Sequence, residues 1–188
     1  MRGEEDAFDA FRELIGFLLS ETVLDANGSV RLTSGPRRAY DPISLGGWNG
    51  PDDPLTLRNR RLLRLSMTLY REPYEKWHRL KVMSCSYQYQ VDPDGKQWIF
   101  RYDYARDPKN VHPAAHLQIN GSRLNVDGIL PADRPLGRVH FPTDRFSIES
   151  VIRLLIIEFG VPSKTDSEYW RPLLRESEVT FQKIAHRS

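Results

Sequence analysis

Apolar residues recur along the chain at two spacings, one typical of helices and one typical of strands. Near the N-terminus they follow three- and four-residue steps, which predicts an amphipathic helix over residues 4–25. The same steps predict a second helix that ends near Tyr70. It would begin at Asp53-Pro54, with Asp53 as the N-cap and Pro54 as the first helical residue. Its apolar line consists of Leu62, Leu65 and Leu69. Residues 26–53 are rich in turn-forming residues, with room for one short strand.

Alternation of apolar and polar residues, which is typical of half-buried strands, dominates residues 80–141. Strands over residues 80–91 and 97–104 are predicted to form a hairpin around the Asp-Pro-Asp-Gly turn. With a four-residue loop, the predicted cross-strand pairs are Tyr89 with Trp98, Tyr87 with Phe100, and Cys85 with Tyr102. Further strands are predicted at residues 115–120, 123–130 and 137–141, with Leu117, Ile119, Val139 and Phe141 facing the core.

Two more helices are predicted after the last strand. Ser147 caps a helix that runs to Phe159, and this helix is apolar on nearly all sides, so we expect it to be the central buried one. Residues 167–185 predict a peripheral last helix that is interrupted near Pro172. Together these elements predict an α+β fold, in which an antiparallel sheet of about five strands packs its aromatic and aliphatic face against helices. The length of 188 residues favours one domain over residues 1–188.

Composition adds limits to this description. Apolar residues make up 39% and charged residues 28% of the chain, which is ordinary for a water-soluble globular protein. The single cysteine, Cys85, excludes an internal disulfide and is expected to be a small buried apolar residue. No apolar run approaches 18 residues, and the acidic N-terminus lacks a signal-peptide core, so we expect a cytoplasmic protein with no membrane association.

Charge is distributed unevenly, although the net charge is only +2. Residues 1–30 contain seven acidic and two basic residues, whereas residues 31–80 contain five acidic and ten basic residues. On the predicted second helix, Arg58, Arg61 and Arg64 lie along one face, where they could contact nucleic-acid phosphates without recognising sequence. Two solvated helix surfaces of opposite charge explain the same distribution equally well.

One face of the predicted sheet collects residues suited to phosphodiester chemistry. They are Arg101, Asp103, His116, Gln118, Asn120, Arg138 and His140, with His112 in the preceding loop. His116 and His140 would exchange protons as base and acid, and Asp103 would orient one of them. Arg101 and Arg138 would hold the phosphate, and Gln118, Asn120 and His112 complete the predicted substrate-binding set. This scheme requires no metal and no cofactor, and no pair of histidines has the spacing of a zinc site.

Each of these residues also has a structural interpretation. His116 could be a packed or solvated histidine at a strand end. Arg101 and Asp103 could form a surface ion pair that stabilises the protein by less than about 1 kcal/mol. His140 could hydrogen-bond a turn. Their placement on one face favours the functional interpretation, and that placement depends on the predicted register.

The order of motifs over residues 97–160, about a third of the chain, has a family resemblance. The chain resembles uncharacterised prokaryotic families that have an Arg-x-Asp-Tyr strand and a His-Leu-x-Ile-Asn strand. The motifs that carry the resemblance are Arg-Tyr-Asp-Tyr from Arg101, His-Pro at His112, His-Leu-Gln-Ile-Asn from His116, and Arg-Val-His-Phe-Pro-Thr before an apolar helix. The pattern is also loosely similar to TumE-like toxins of toxin–antitoxin systems. The resemblance implies a toxin or defence context. Gln118 stands where the pattern has a second histidine, and glutamine cannot shuttle a proton, so His140 or His112 would have to act as the partner.

Two functions therefore remain open. The first is ribonuclease-like, metal-independent cleavage of RNA. The second is a non-catalytic module that binds nucleic acid or a cognate partner protein in a prokaryotic operon. Convergence of two histidines within hydrogen-bonding range of one pocket would favour the first.

Overall fold

The computed structural model describes residues 3–26, 31–34, 40–46, 53–74, 77–108, 113–121 and 141–185. These residues form three helices, which are α1 (Gly3–Glu21), α2 (Ile148–Ile157) and α3 (Ser167–Ala185). They also form eight strands, which are β1 (Arg31–Ser34), β2 (Tyr40–Gly46), β3 (Leu55–Thr56), β4 (Leu62–Tyr74), β5 (Trp77–Gln90), β6 (Trp98–Ala105), β7 (Ala115–Ile119) and β8 (Phe141–Pro142). None of the helices in this part of the chain is both long and apolar enough to cross a lipid bilayer.

The strands form one antiparallel sheet in the order β1-β2-β4-β5-β6-β7-β8, and β3 pairs with β4 beside this path. Five of the described strands, β2 and β4 to β7, have five residues or more. The α+β fold with an antiparallel sheet is therefore confirmed. The short strand expected between residues 26 and 53 is present as β1, but the same segment also contains the seven-residue β2, which its turn-rich composition did not predict.

The predicted helix over residues 53–70 is wrong, because this segment forms β3 and β4. Along β4, Leu63, Leu65, Met67 and Leu69 are buried, and the residues between them are exposed or half-buried. This period of two matches a strand with one face in the core. Leu65 and Leu69 fit both spacings, whereas Leu62 fits only the helical one and lies half-buried on the other face of the strand. Pairing with β5 along the whole of β4 selects the strand.

The β5–β6 hairpin exists, but its predicted register is wrong by two residues. Tyr89 pairs with Phe100, Tyr87 with Tyr102, and Cys85 with Tyr104. The loop is longer than four residues, and the register shifts between Tyr89 and Gln90. Because side chains alternate along a strand, a shift of two residues leaves every side chain on the predicted face.

The aromatic face of the sheet forms the core together with the helices. Tyr87 and Tyr102 are buried and stack on each other, and Phe146, just before α2, stacks on Tyr102. α1 and α3 contact β5, and α2 packs against both α1 and α3. Ile119 and Phe141, which were expected in the core, are exposed because β7 and β8 lie at the edge of the sheet.

The caps of α2 follow the sequence closely. The Ser147 side chain accepts a hydrogen bond from the backbone N–H of Ser150 at 3.2 Å. The helix ends at Ile157, two residues earlier than predicted, and Gly160 follows with a φ of 62°. Val151, Ile152 and Leu155 are buried, whereas Ile157 is exposed. α2 is therefore buried on one face and not, as predicted, on nearly all sides.

Two expectations for α3 need correction. Pro172 is exposed and lies inside the helix, which continues past it to Ala185, so the proline does not interrupt the helix. Trp170 and Leu174, on either side of this proline, are buried in the core. α3 is thus part of the core and not peripheral.

Replacing Tyr102 with phenylalanine is expected to lower the free energy of unfolding by about 1–3 kcal/mol. The Tyr102 hydroxyl accepts a hydrogen bond from the backbone N–H of Phe146 at 2.9 Å, and phenylalanine would leave that N–H unpaired. Denaturation in urea measures the change, with Tyr169→Phe on the exposed side of α3 as the control. Equal effects of the two substitutions would contradict the prediction.

Candidate functional site

Two parallel rows of polar side chains cross strands β4 to β7 on the face opposite the core. Directly opposed residues in neighbouring strands point to the same face of a sheet. The first row, the serine–histidine row, consists of Ser66, Ser86, Asp103 and His116. The second, the arginine–glutamine row, lies two residues further along each strand and consists of Arg64, Gln88, Arg101 and Gln118. Arg101, Asp103, His116 and Gln118 thus share one face, as the alternation predicted.

Asp103 connects the two rows through one carboxylate oxygen. Arg101 donates a hydrogen bond from Nε to Asp103 Oδ2 at 2.8 Å. His116 Nε2 lies 3.9 Å from the same oxygen. The side chain of Arg101 is 48% exposed, whereas those of Asp103 and His116 are 22% and 11% exposed. The cation is therefore open to solvent, and the histidine is held in the protein surface.

The contact that Nδ1 of His116 makes determines which tautomer the neutral ring adopts. Nδ1 lies 3.0 Å from the backbone carbonyl oxygen of Pro113. A carbonyl oxygen can only accept a hydrogen bond, so Nδ1 carries the proton in the neutral ring. Nε2, on the side of Asp103, is then the nitrogen without a proton in the neutral ring.

His116 and Asp103 line a pocket of about 290 Å³. Its wall includes Ser66, Ser84 and Ser86 from the sheet, and Pro113 from the loop before β7. This volume lies at the lower end of the range for small-molecule pockets. The pocket thus offers hydroxyl groups, one carboxylate and one imidazole to a ligand the size of part of a nucleotide.

The order of residues in the serine–histidine row excludes a hydrolase triad made from that row. Such a triad requires the histidine to stand between the serine and the aspartate, within hydrogen-bonding reach of both. Here Asp103 stands between Ser86 and His116. Two strand spacings separate the backbones of Ser86 and His116 by about 10 Å. His116 therefore cannot activate the Ser86 hydroxyl in this arrangement.

The structure describes two of the remaining predicted site residues, Gln118 and Asn120. Gln118 is half-buried and pairs across the strands with Arg101. Asn120 donates a hydrogen bond from Nδ2 to the Trp98 carbonyl at 2.8 Å, so it holds the end of the β6–β7 pair. Arg138, His140 and His112 lie outside the described residues. Convergence of two histidines therefore stays a prediction.

The predicted helical stripe of arginines is wrong, because no helix forms there. Arg58 and Arg61 are exposed between β3 and β4. Arg64 lies in β4 and donates a hydrogen bond from Nη2 to the Pro93 carbonyl at 3.0 Å. Its place on the polar face beside Gln88 was missed, as was that of Ser66. The alternation of Leu63, Leu65 and Met67 was the signal that could have revealed both positions.

Cys85 lines the same pocket from the core side and makes the stability of the protein depend on pH. Burial raises the pKa of its thiol from the ordinary value of 9.0 to about 11, although a hydrogen bond with Tyr87 partly offsets this. The folded state thus holds the thiol proton more tightly than the unfolded state does. The resulting stabilisation is complete below about pH 9 and is lost as the pH rises through about 11.

We therefore expect the free energy of unfolding of the wild type to fall more steeply between pH 9 and pH 11 than that of Cys85→Ala. Urea denaturation at several pH values measures both slopes. The slopes are compared, not the absolute values, because the smaller alanine also leaves a cavity. Parallel curves for the two proteins would contradict the assignment of this alkaline loss to Cys85.

Comparisons with known proteins identify no relative of this chain, so the geometry of the site is the basis for its interpretation. Protein-family models, curated proteins and solved structures gave no match to this chain. Within the described part of the chain, no group of three or more His, Cys, Asp or Glu residues could hold a metal ion. The pocket at His116 and Asp103 is thus the candidate functional site of the described residues.

Proposed function

We propose that the pocket at His116 and Asp103 is an acid–base site that cleaves phosphodiester bonds in RNA. The observation that carries this proposal is the orientation of His116, whose Nδ1 is held by the Pro113 carbonyl while Nε2 faces Asp103. A histidine held in one tautomer beside a carboxylate is suited to repeated uptake and release of a proton.

In the proposed reaction, His116 Nε2 removes the proton from a ribose 2′-hydroxyl. The 2′ oxygen then attacks the adjacent phosphorus, and the bond from phosphorus to the 5′ oxygen of the next nucleotide breaks. The products are a 2′,3′-cyclic phosphate and a 5′-hydroxyl, and the leaving oxygen takes a proton from a second acid. His140 is the predicted second acid. Asp103 would stabilise the imidazolium that forms on His116.

Arg101 is suited to hold the phosphate in this reaction. Its Nε hydrogen bond to Asp103 orients the guanidinium and leaves further N–H donors at its exposed end. Paired N–H donors match the geometry of two phosphate oxygens. The same arginine also offsets the negative charge of Asp103, which would otherwise repel a phosphate.

A second candidate function is non-catalytic binding of RNA or of a partner protein, and the arginine–glutamine row supports it. Arg64 and Arg101 both neighbour Gln88, which gives a polar stripe across three strands. Such a stripe could bind a single strand of RNA through phosphates and base edges without breaking a bond. The resemblance to TumE-like toxins adds a toxin or defence context to either proposal. We also propose a cognate partner protein for the second candidate.

The test is a cleavage assay with end-labelled single-stranded RNA and DNA of the same sequence, each with and without a chelator. We expect cleavage of RNA only, insensitivity to the chelator, and a cyclic phosphate on the 5′ product. His116→Asn should remove this activity. RNA that stays intact would reject the catalytic proposal, and RNA retained in a filter-binding assay would then favour the second candidate.

A further inference from the structure

We infer that Gln88 contacts the base of a nucleotide adjoining the cleaved bond and gives cleavage a base preference at that position. This inference rests on the proposed action on RNA, since it concerns the same face of the sheet. Three features of the structure carry it, namely the hydrogen bonds that orient the Gln88 amide, the close approach of Gly95, and the position of Gln88 beside Arg101.

A short relay of hydrogen bonds determines which way the Gln88 amide points. Gln90, which is fully buried, lies with Nε2 2.6 Å from the Asp92 carbonyl oxygen and 3.3 Å from the Pro93 carbonyl oxygen. Both carbonyls can only accept, so the amide nitrogen of Gln90 must face them and its oxygen must face away. That oxygen, Oε1, lies 2.8 Å from Gln88 Nε2. Gln88 must therefore donate to Gln90, and its own oxygen points elsewhere.

Gly95, in the hairpin loop, lies close to the amides of Gln88 and Gln90. It has a φ of 73°, which glycine adopts without strain. A Cβ atom at this position would lie 2.9 Å from Gln88 Nε2 and 3.3 Å from Gln90 Oε1. The hairpin loop thus lies so close to the two amides that only glycine fits at position 95. This close approach restricts the rotamer of Gln88.

The consequence is an amide held in one orientation on the polar face. One N–H of Gln88 is used by Gln90, and the hydrogen bonds of the described residues leave its Oε1 and second N–H for a ligand. An amide that presents an acceptor beside a donor can pair with the exposed edge of an unstacked RNA base, because each base carries a donor and an acceptor side by side. The fixed positions of the amide oxygen and nitrogen then favour the base whose donor and acceptor match them. Holding the amide in advance also reduces the entropy lost on binding.

The position of Gln88 suits a neighbouring nucleotide and not the reacting one. Gln88 lies directly opposite Arg101, which is one strand away. The backbone of His116 is two strands across and two residues along from Gln88, a distance of about 12 Å. A phosphate held by Arg101 would therefore place the base of an adjoining nucleotide at Gln88.

The experiment maps cleavage sites on a single-stranded RNA of random sequence and counts the base at each position around the broken bond. For the wild type we expect one base to be enriched about tenfold at one adjoining position. In Gln88→Ala this enrichment should fall to nearly onefold. Gly95→Ala, which displaces the amide without removing it, should lower it as well.

Lys96→Ala is the matched control, because Lys96 lies in the same loop and its side chain is 80% exposed. It should retain the wild-type enrichment, and thermal unfolding of all variants shows that they are folded. RNA cleaved without enrichment of any base at an adjoining position, or an enrichment that Gln88→Ala retains, would overturn the inference and leave the proposed function standing. A wild type that cleaves no RNA at all would overturn both.

Discussion

Replacing His116 with asparagine is expected to lower the rate of RNA cleavage by about 10²- to 10⁴-fold, the usual contribution of a general acid–base group. The asparagine amide nitrogen can take the place of Nδ1 and still donate to the Pro113 carbonyl. What is lost is Nε2, the atom that faces Asp103 in the pocket. The substitution therefore removes proton transfer and preserves the hydrogen bond that holds the residue in place.

Single-turnover cleavage of end-labelled RNA measures this change, and circular dichroism together with thermal unfolding shows that the variant is folded. Glu176→Gln, an exposed position on α3, is the control and should cleave at the wild-type rate. A His116→Asn rate within about threefold of the wild type would remove His116 from the mechanism.

The second large effect concerns stability. Leu155→Ala is expected to lower the free energy of unfolding by about 2–5 kcal/mol, because Leu155 is 0% exposed on the core face of α2 and its loss would leave a cavity. Ile157, two residues further along the helix, is 49% exposed. The matched change Ile157→Ala should cost less than about 1 kcal/mol, because this side chain gains little from burial.

Urea denaturation of both variants tests the orientation of α2 directly. The midpoint should shift strongly for Leu155→Ala and little for Ile157→Ala, with similar slopes for the two proteins. Equal losses would mean that α2 is buried on all sides, as its composition alone suggested. A larger loss for Ile157→Ala would mean that the helix is turned away from the core.

Side-chain alternation along the strands predicted which residues of the site share one face of the sheet, but not the contacts between them. Alternation assigned Arg101, Asp103, His116 and Gln118 to one face, and the assignment survived a register error of two residues because the error was even. It could not show that Arg101 and His116 share one oxygen of Asp103, or that the Pro113 carbonyl sets the tautomer of His116. Those contacts depend on how neighbouring strands and loops meet.

The error over residues 53–70 has a similar origin. Leu62, Leu65 and Leu69 satisfy helical steps, and Asp53-Pro54 resembles a helix start, so local signals agreed on a helix. Pairing of β4 with both β2 and β5 outweighs these preferences, because strand stability comes from neighbours that are distant in sequence. The error also concealed the place of Arg64 and Ser66 on the polar face.

The sequence by itself determined the α+β class, the hairpin with its aromatic core face, the start of α2, and which residues of β5 to β7 face away from the core. These features depend on local periodicity, turn chemistry and capping, which act within a few residues. Only the tertiary structure decided the strand at residues 62–74, the hairpin register, the tautomer of His116 and the orientation of the Gln88 amide. Each of these depends on hydrogen bonds and packing between segments that the chain brings together only when it folds.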